Sequence, residues 1–211
     1  MKKKITNLAF VLLFVVTVSH AQDMQTVFKS GGRVTGYGAL SNKFTKINGR
    51  YANIAEVYGG VYLNRRFMIG LGGGAVTNNI PVPSEYSVVP GENLSYEYGQ
   101  CGLVTEYVLG SNKAFHLVFH LFSGAGFTLQ YNRYNWDDEF NHNDWDKHDK
   151  HDENWFFVAE PGVQLEVNLF RWMRFSPGVS YRSAFGSDAA GLSDSNLSNM
   201  SYNVTLKFGR F

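Results

Sequence analysis

Cysteine is almost absent from the 211-residue chain: Cys101 is the only one. An intramolecular disulfide is therefore excluded, and so is a metal site built from cysteines. No sign of charge dominates, with 19 Lys and Arg against 18 Asp and Glu. The chain beyond its first residues carries no basic patch, which argues against nucleic acid as a partner. Prolines number five, and three of them, Pro81, Pro83 and Pro90, fall in one segment. Long apolar runs are missing too. Leu8 to Val16 is uninterrupted, but a helical span needs about 20 residues, and no later segment could cross a membrane as a helix.

That apolar run follows three lysines in Met1–Lys4 and is closed by Ser19, His20 and Ala21. A basic start, a short apolar stretch and a small-x-small end predict a secretory signal peptide over residues 1–21, with residues 22–211 as the exported domain. No cysteine follows the expected cleavage site, so lipid anchoring is not expected.

What is abundant is aromatic residues, 16% of the chain, and glycine, 22 residues. Apolar residues recur at every second position, the period of a strand. From Phe115 to Tyr131, the residues Phe115, Leu117, Phe119, Leu121, Ala125, Phe127 and Leu129 share one face, while His116, His120, Thr128 and Gln130 share the other. From Trp155 to Leu169, Phe157, Val163, Leu165 and Val167 stand opposite Glu160, Gln164 and Glu166. Charged groups in such alternation do not fit a dry core. They fit the polar interior of a barrel whose other face lies in lipid.

The predicted fold is all-β, an eight-stranded antiparallel transmembrane β-barrel. Strands are expected at about 33–42, 51–63, 67–77, 94–109, 113–133, 155–169, 172–185 and 199–210. Short periplasmic turns are expected at 64–66, 110–112 and 170–171, and long outer loops at 43–50, 78–93, 134–154 and 186–198. The alternation of long and short connections places the protein in the outer membrane of a Gram-negative cell, in contact with its lipid. Pro161 and Pro177 fall inside strands and predict a bulge or an irregular ladder. The last strand alternates Tyr202, Val204, Leu206 and Phe208 and ends in Phe211, the kind of terminal signal read by the barrel assembly machinery. Phe211 is off the parity of Phe208, which predicts a bulge at Gly209 or an atypical signal.

Several stretches, Lys43–Gly49, Tyr58–Val61, Phe67–Gly74, Phe156–Gly162, Gly178–Arg182, Gly191–Ser198 and Lys207–Phe211, resemble a group of outer-membrane β-barrel proteins of Bacteroidetes and other Gram-negative bacteria, small barrels of the OmpA/OmpX-like kind. The resemblance covers nearly all of residues 22–211 and implies the barrel fold. It implies no reaction and no catalytic residue.

Two constellations could carry chemistry. Inside an eight-stranded barrel the lumen is just wide enough to be filled by side chains, so Glu56, Glu106, His116, His120, Glu160, Glu166, Arg174 and Arg182 are expected to form a paired polar network that plugs it. Counting from a turn near Ser111 makes Glu106 and His116 neighbours; counting from one near Phe170 pairs Glu166 with Arg174. Glu56 and His120 are expected higher, and Glu160 and Arg182 higher again. A His–carboxylate acid/base pair is the catalytic alternative, but a lipid A-modifying barrel enzyme needs a histidine-activated serine, and Ser180 and Ser183 have no evident base. The run Gly70, Gly72, Gly73 and Gly74 lacks the following helix of a nucleotide site and is read as room for bulkier lumen neighbours.

The second constellation is the segment 135–154, with eight acidic residues, two lysines and three histidines. A solvated outer loop is the plain expectation. A divalent metal held by His142, Asp144, His148, His151 and Asp152 is the alternative. Trp136, Trp145 and Trp155 are expected in the aromatic girdle at the membrane interface. The expected role is that of a non-enzymatic barrel displaying loops for envelope integrity, surface binding or adhesion to a ligand or protein. A small pore is a further alternative.

Overall fold

The computed structural model describes residues 34–111, 113–132 and 152–210. Eight strands, β1 (Val34–Ile47), β2 (Arg50–Leu63), β3 (Phe67–Val76), β4 (Ser95–Leu109), β5 (Phe115–Tyr131), β6 (Asn154–Asn168), β7 (Met173–Phe185) and β8 (Asn199–Gly209), pair antiparallel in sequence order. Tyr37 to Phe44 of β1 pair with Tyr202 to Gly209 of β8 and close the barrel. Closure leaves no edge, as any sheet in hydrocarbon requires. None of the helices among the described residues is long and apolar enough to cross a membrane.

The period-2 pattern decides which way each residue points. Along β1 exposed and buried residues alternate almost without a break. Leu40, Val57, Leu71, Leu103, Phe119 and Leu165 stand out from the barrel wall, an apolar band that only lipid can cover at this density. Two aromatic belts bound it. At the outer end Phe127 and Trp155 lie 5.3 Å apart and Phe157 and Phe185 6.2 Å apart. At the inner end Trp172 stacks on Phe170 and on Phe208, at 5.7 and 6.2 Å.

The expected outer loop 43–50 is not a loop. Lys43, Thr45 and Ile47 continue the inward face of β1, and the chain reverses in two residues, Asn48 and Gly49, at φ +49° and +72°. Two successive left-handed residues match the twist of the flanking strands, and Asn-Gly is the pair best suited to them. The polar sequence Lys-Phe-Thr-Lys reads as loop only because its lysines and threonine face a polar lumen. The strict alternation of long and short connections therefore fails at the first hairpin, and three long outer connections remain.

The prolines act on one seam. Between β6 and β7 the ladder lapses at residues 160–161 and again at 165–166, yet the register is the same on both sides of each gap. Pro161 still pairs with Leu121 of β5, and Pro177 with Val204 of β8. Each ring thus aims its missing N–H at the shared seam. The result is an irregular ladder without the inserted residue of a bulge. Pairing at Gly209 is also regular, without a bulge; Phe211 lies outside the described residues.

Of the glycine run, Gly70, Gly72 and Gly74 share the inward parity of buried Met68 and Val76, whereas Gly73 has the outward one. An added Cβ at Gly72 would lie 2.6 Å from the Tyr58 Cβ, so the glycine does make room for a bulky lumen residue. Gly102 faces Gly124 across β4 and β5. A Cβ on Gly102 would meet the Ser123 carbonyl oxygen at 2.4 Å.

Residues 186–198 lie across the outer mouth, with Leu192, bridged to Ala189, and Leu197 of the one-turn helix α1 (Asp194–Leu197) both fully buried. The Asp194 carboxylate accepts the Gly186 and Ser187 N–H groups at 3.0 and 2.7 Å. The Asn48 N–H donates to the Asn196 carbonyl at 2.9 Å.

Gly102→Ala is expected to destabilise the barrel by about 1–3 kcal/mol through overpacking. Gly38→Ala should be neutral, because nothing lies within 4 Å of a Cβ there. Urea unfolding in detergent, followed by tryptophan fluorescence, separates the two.

Candidate functional site

Inward-facing residues of seven strands, all but β3, meet in two charged layers. The inner layer centres on Glu106 of β4. The Lys207 ammonium on β8 donates to both Glu106 oxygens at 2.8 and 2.9 Å, and lies 2.9 Å from Glu166 of β6. The Tyr37, Tyr58 and Tyr62 hydroxyls donate to the Glu106 carboxylate at 2.9, 3.2 and 3.0 Å. His120 donates to it from Nδ1 at 3.1 Å. Glu166 also accepts from Arg174 at 2.6 Å and from Ser176 at 3.3 Å.

The layer nearer the outer mouth centres on Lys43 of β1, which donates to Glu56 at 3.0 Å and to Glu160 at 2.9 Å. Gln100 donates to Glu56 at 3.1 Å, and Ser180 to Glu160 at 2.5 Å. Above them the Arg182 guanidinium donates to the Leu197 and Lys46 carbonyls at 2.7 and 3.0 Å and stacks over Tyr98. The space between the layers, bordered by Ser41, His120, Gln164 and Asn203, has no room for a water molecule.

Among the described residues the lumen holds four buried carboxylates, Glu56, Glu106, Glu160 and Glu166, and four buried cations, Lys43, Arg174, Arg182 and Lys207. An isolated charge there would cost several kcal/mol, so this balance is what allows any of them to stay ionised.

All eight lumen residues named from sequence face inward, but several neighbours differ from expectation. Glu106 pairs with His120, not His116. The β4–β5 register centres on Lys113 instead of Ser111, because Gly110 at φ +74° and the Lys113 N–H to Gly110 carbonyl bond complete a wider turn. That shift puts His120 at the level of Glu106 rather than above it. His116 falls opposite Glu166, with Nδ1 3.5 Å from the carboxylate and neither ring nitrogen hydrogen-bonded. Arg174 reaches Glu166 diagonally, its register partner being Asn168. Lys43 holds Glu160 level with Glu56, so Arg182 alone stands higher.

Sequence reasoning missed the two lysines, each of which bridges the two carboxylates of one layer. Parity carried the signal: Lys207 alternates with outward Leu206 and Phe208, and Lys43 continues the inward series Ala39 and Ser41.

Of the metal candidates, His142, Asp144, His148 and His151 lie outside the described residues, as do Trp136 and Trp145. Asp152 is described, at φ +48°, and its carboxylate accepts the Ala190 N–H at 2.8 Å. It ties the base of its segment to residues 186–198. Among the described residues no three His, Cys, Asp or Glu side chains gather as a metal site would require.

No family model matches the chain, and no curated protein does. Among solved structures, Neisserial surface protein A is similar with a TM-score of 0.57 at 6% identity, over 83% of this chain and 96% of that one. A major outer membrane protein from Thermus thermophilus gives 0.49 at 8% identity, over 82% and 98%. OprG from Pseudomonas aeruginosa gives 0.41 at 13%, over 83% and 95%. The likeness to Neisserial surface protein A, at 6% identity, speaks for the fold alone. The closed eight-stranded wall, its lipid-facing apolar band and its two aromatic belts make the protein an outer-membrane β-barrel.

Lys207→Met should cost about 3–5 kcal/mol, because it leaves Glu106 and Glu166 short of a counter-charge. His116→Leu, which removes two nitrogens without hydrogen bonds, should cost less than about 1 kcal/mol, whereas His120→Leu should cost about 1–3 kcal/mol. Denaturant midpoints of the refolded variants rank the three.

Proposed function

We propose that the protein is a sealed, non-enzymatic scaffold in the outer membrane whose working surface is its outer loops, serving envelope integrity or contact with a surface, ligand or protein partner. The observation that carries this reading is the lumen. Two balanced charged layers, the closely packed space between them and buried Leu192 and Leu197 at the outer end support a sealed interior. A lipid-modifying reaction needs a serine with a base and a route for acyl chains. Ser180 instead is buried and donates to Glu160, a carboxylate already held by Lys43.

Export through residues 1–21, cleavage after Ala21 and recognition of the strand ending in Phe211 by the assembly machinery belong to the same reading. So does kinship with the Bacteroidetes group that the sequence motifs resemble. Pinning of the loop bases fits display: Tyr96 donates to the Ala190 carbonyl at 2.7 Å, and Gln130 to the Tyr86 carbonyl at 2.9 Å. The rims of these loops stay in place while their tips are free to vary.

The purified barrel should be silent in planar bilayers, and lipid A from cells overproducing it should keep its mass spectrum. Replacing residues 136–149 by a Gly-Ser linker should leave the amount of folded barrel unchanged while altering attachment or detergent sensitivity of the cells. Steady conductance or altered lipid A would overturn the sealed-scaffold reading, and unchanged cell behaviour would overturn the role of that loop.

A further inference from the structure

The barrel's two ends carry opposite charge. Among the described residues, every acidic side chain outside the lumen lies toward the outer end: Glu85, Glu92, Glu97, Asp152, Glu153, Asp188 and Asp194. The opposite end, where the short turns lie, carries Arg65, Arg66, Lys113, Arg171 and Arg210 and no acidic side chain among the described residues. Lipid packing alone does not require this, since neutral polar residues would serve a turn equally well.

Four cations converge there on a cavity of about 670 Å³. It is lined by Arg65, Lys113 and Arg171 from three different turns, by Arg174 at its inner wall, and by the Ser111 and Asn168 side chains. Arg174 is matched by Glu166. Arg65, Lys113 and Arg171 have no carboxylate partner among the described residues. Arg65 adopts φ +58°, uncommon for a residue with a side chain, and its Nε is buried without a hydrogen bond.

We propose that this periplasmic mouth binds a phosphate group. Two guanidinium forks, an ammonium, a hydroxyl and an amide supply donors from several directions, as a tetrahedral oxyanion needs and a planar carboxylate does not. Leu169 and Phe170 form the remaining wall, and Phe170 stacks on Trp172 of the inner aromatic belt. The cavity therefore opens next to the level of phospholipid headgroups. Both a headgroup phosphate of the inner leaflet and a soluble phosphate match its chemistry.

The test uses the full barrel refolded in a non-ionic, phosphate-free detergent. It is titrated calorimetrically with inorganic phosphate and, separately, with short-chain phosphatidic acid below its micelle concentration. The variant combines Arg65→Asn, which tolerates the left-handed backbone, with Lys113→Gln and Arg171→Gln, and keeps Arg174 to neutralise Glu166. Binding of both probes, weakened roughly tenfold or more in the variant, establishes a site for soluble phosphate. Binding of the lipid alone, lost in the variant, establishes a headgroup site. Absence of binding to either probe, or binding unchanged in the variant, overturns the proposal. Lys113→Gln and Arg171→Gln, both exposed and tested singly, keep the reading open to refutation should the triple variant not refold.

Discussion

Closure of β1 against β8 is the constraint on which everything else in this barrel depends. In hydrocarbon an unpaired backbone N–H or C=O costs several kcal/mol, so the sheet cannot end in an edge. Once it closes, each strand has one face in lipid and one in a narrow lumen, and the period of two assigns every residue to one or the other. Closure also carries Lys207 on β8 next to Glu106 on β4 and Glu166 on β6. The same pairing that satisfies the backbone assembles the charge network.

The interior then solves a packing and an electrostatic problem together. Large lumen side chains such as Tyr58 fit because glycines such as Gly72 stand beside them. Carboxylates fit because lysines and arginines from other strands reach them. Removing either half of the arrangement leaves a void, a clash or an uncompensated charge, each expensive in a medium of low dielectric. Such a lumen is tightly packed and charge-balanced, which agrees with the proposed scaffold role.

The first hairpin and the β4–β5 turn show where sequence pattern stops being informative. Lys43 and Thr45 read as loop residues because polarity was taken as exposure to water, whereas here it means exposure to the lumen. A turn centred two residues from its expected place changes the cross-strand partner of Glu106 from His116 to His120 without changing which face any of them occupies. Parity is robust to such an error; register is not.

Alternation by itself determined the barrel, its strand number, the outward apolar band and the inward direction of all eight candidate lumen residues, because which face a residue takes is a local property repeated every second position. The tight Asn48–Gly49 turn, the choice of His120 over His116, the bridging by Lys43 and Lys207 and the basic mouth at the inner end were decided only by tertiary structure. Each depends on how far neighbouring strands slide past one another, and that offset is set by turn geometry and closure around the whole ring, information that no single strand contains.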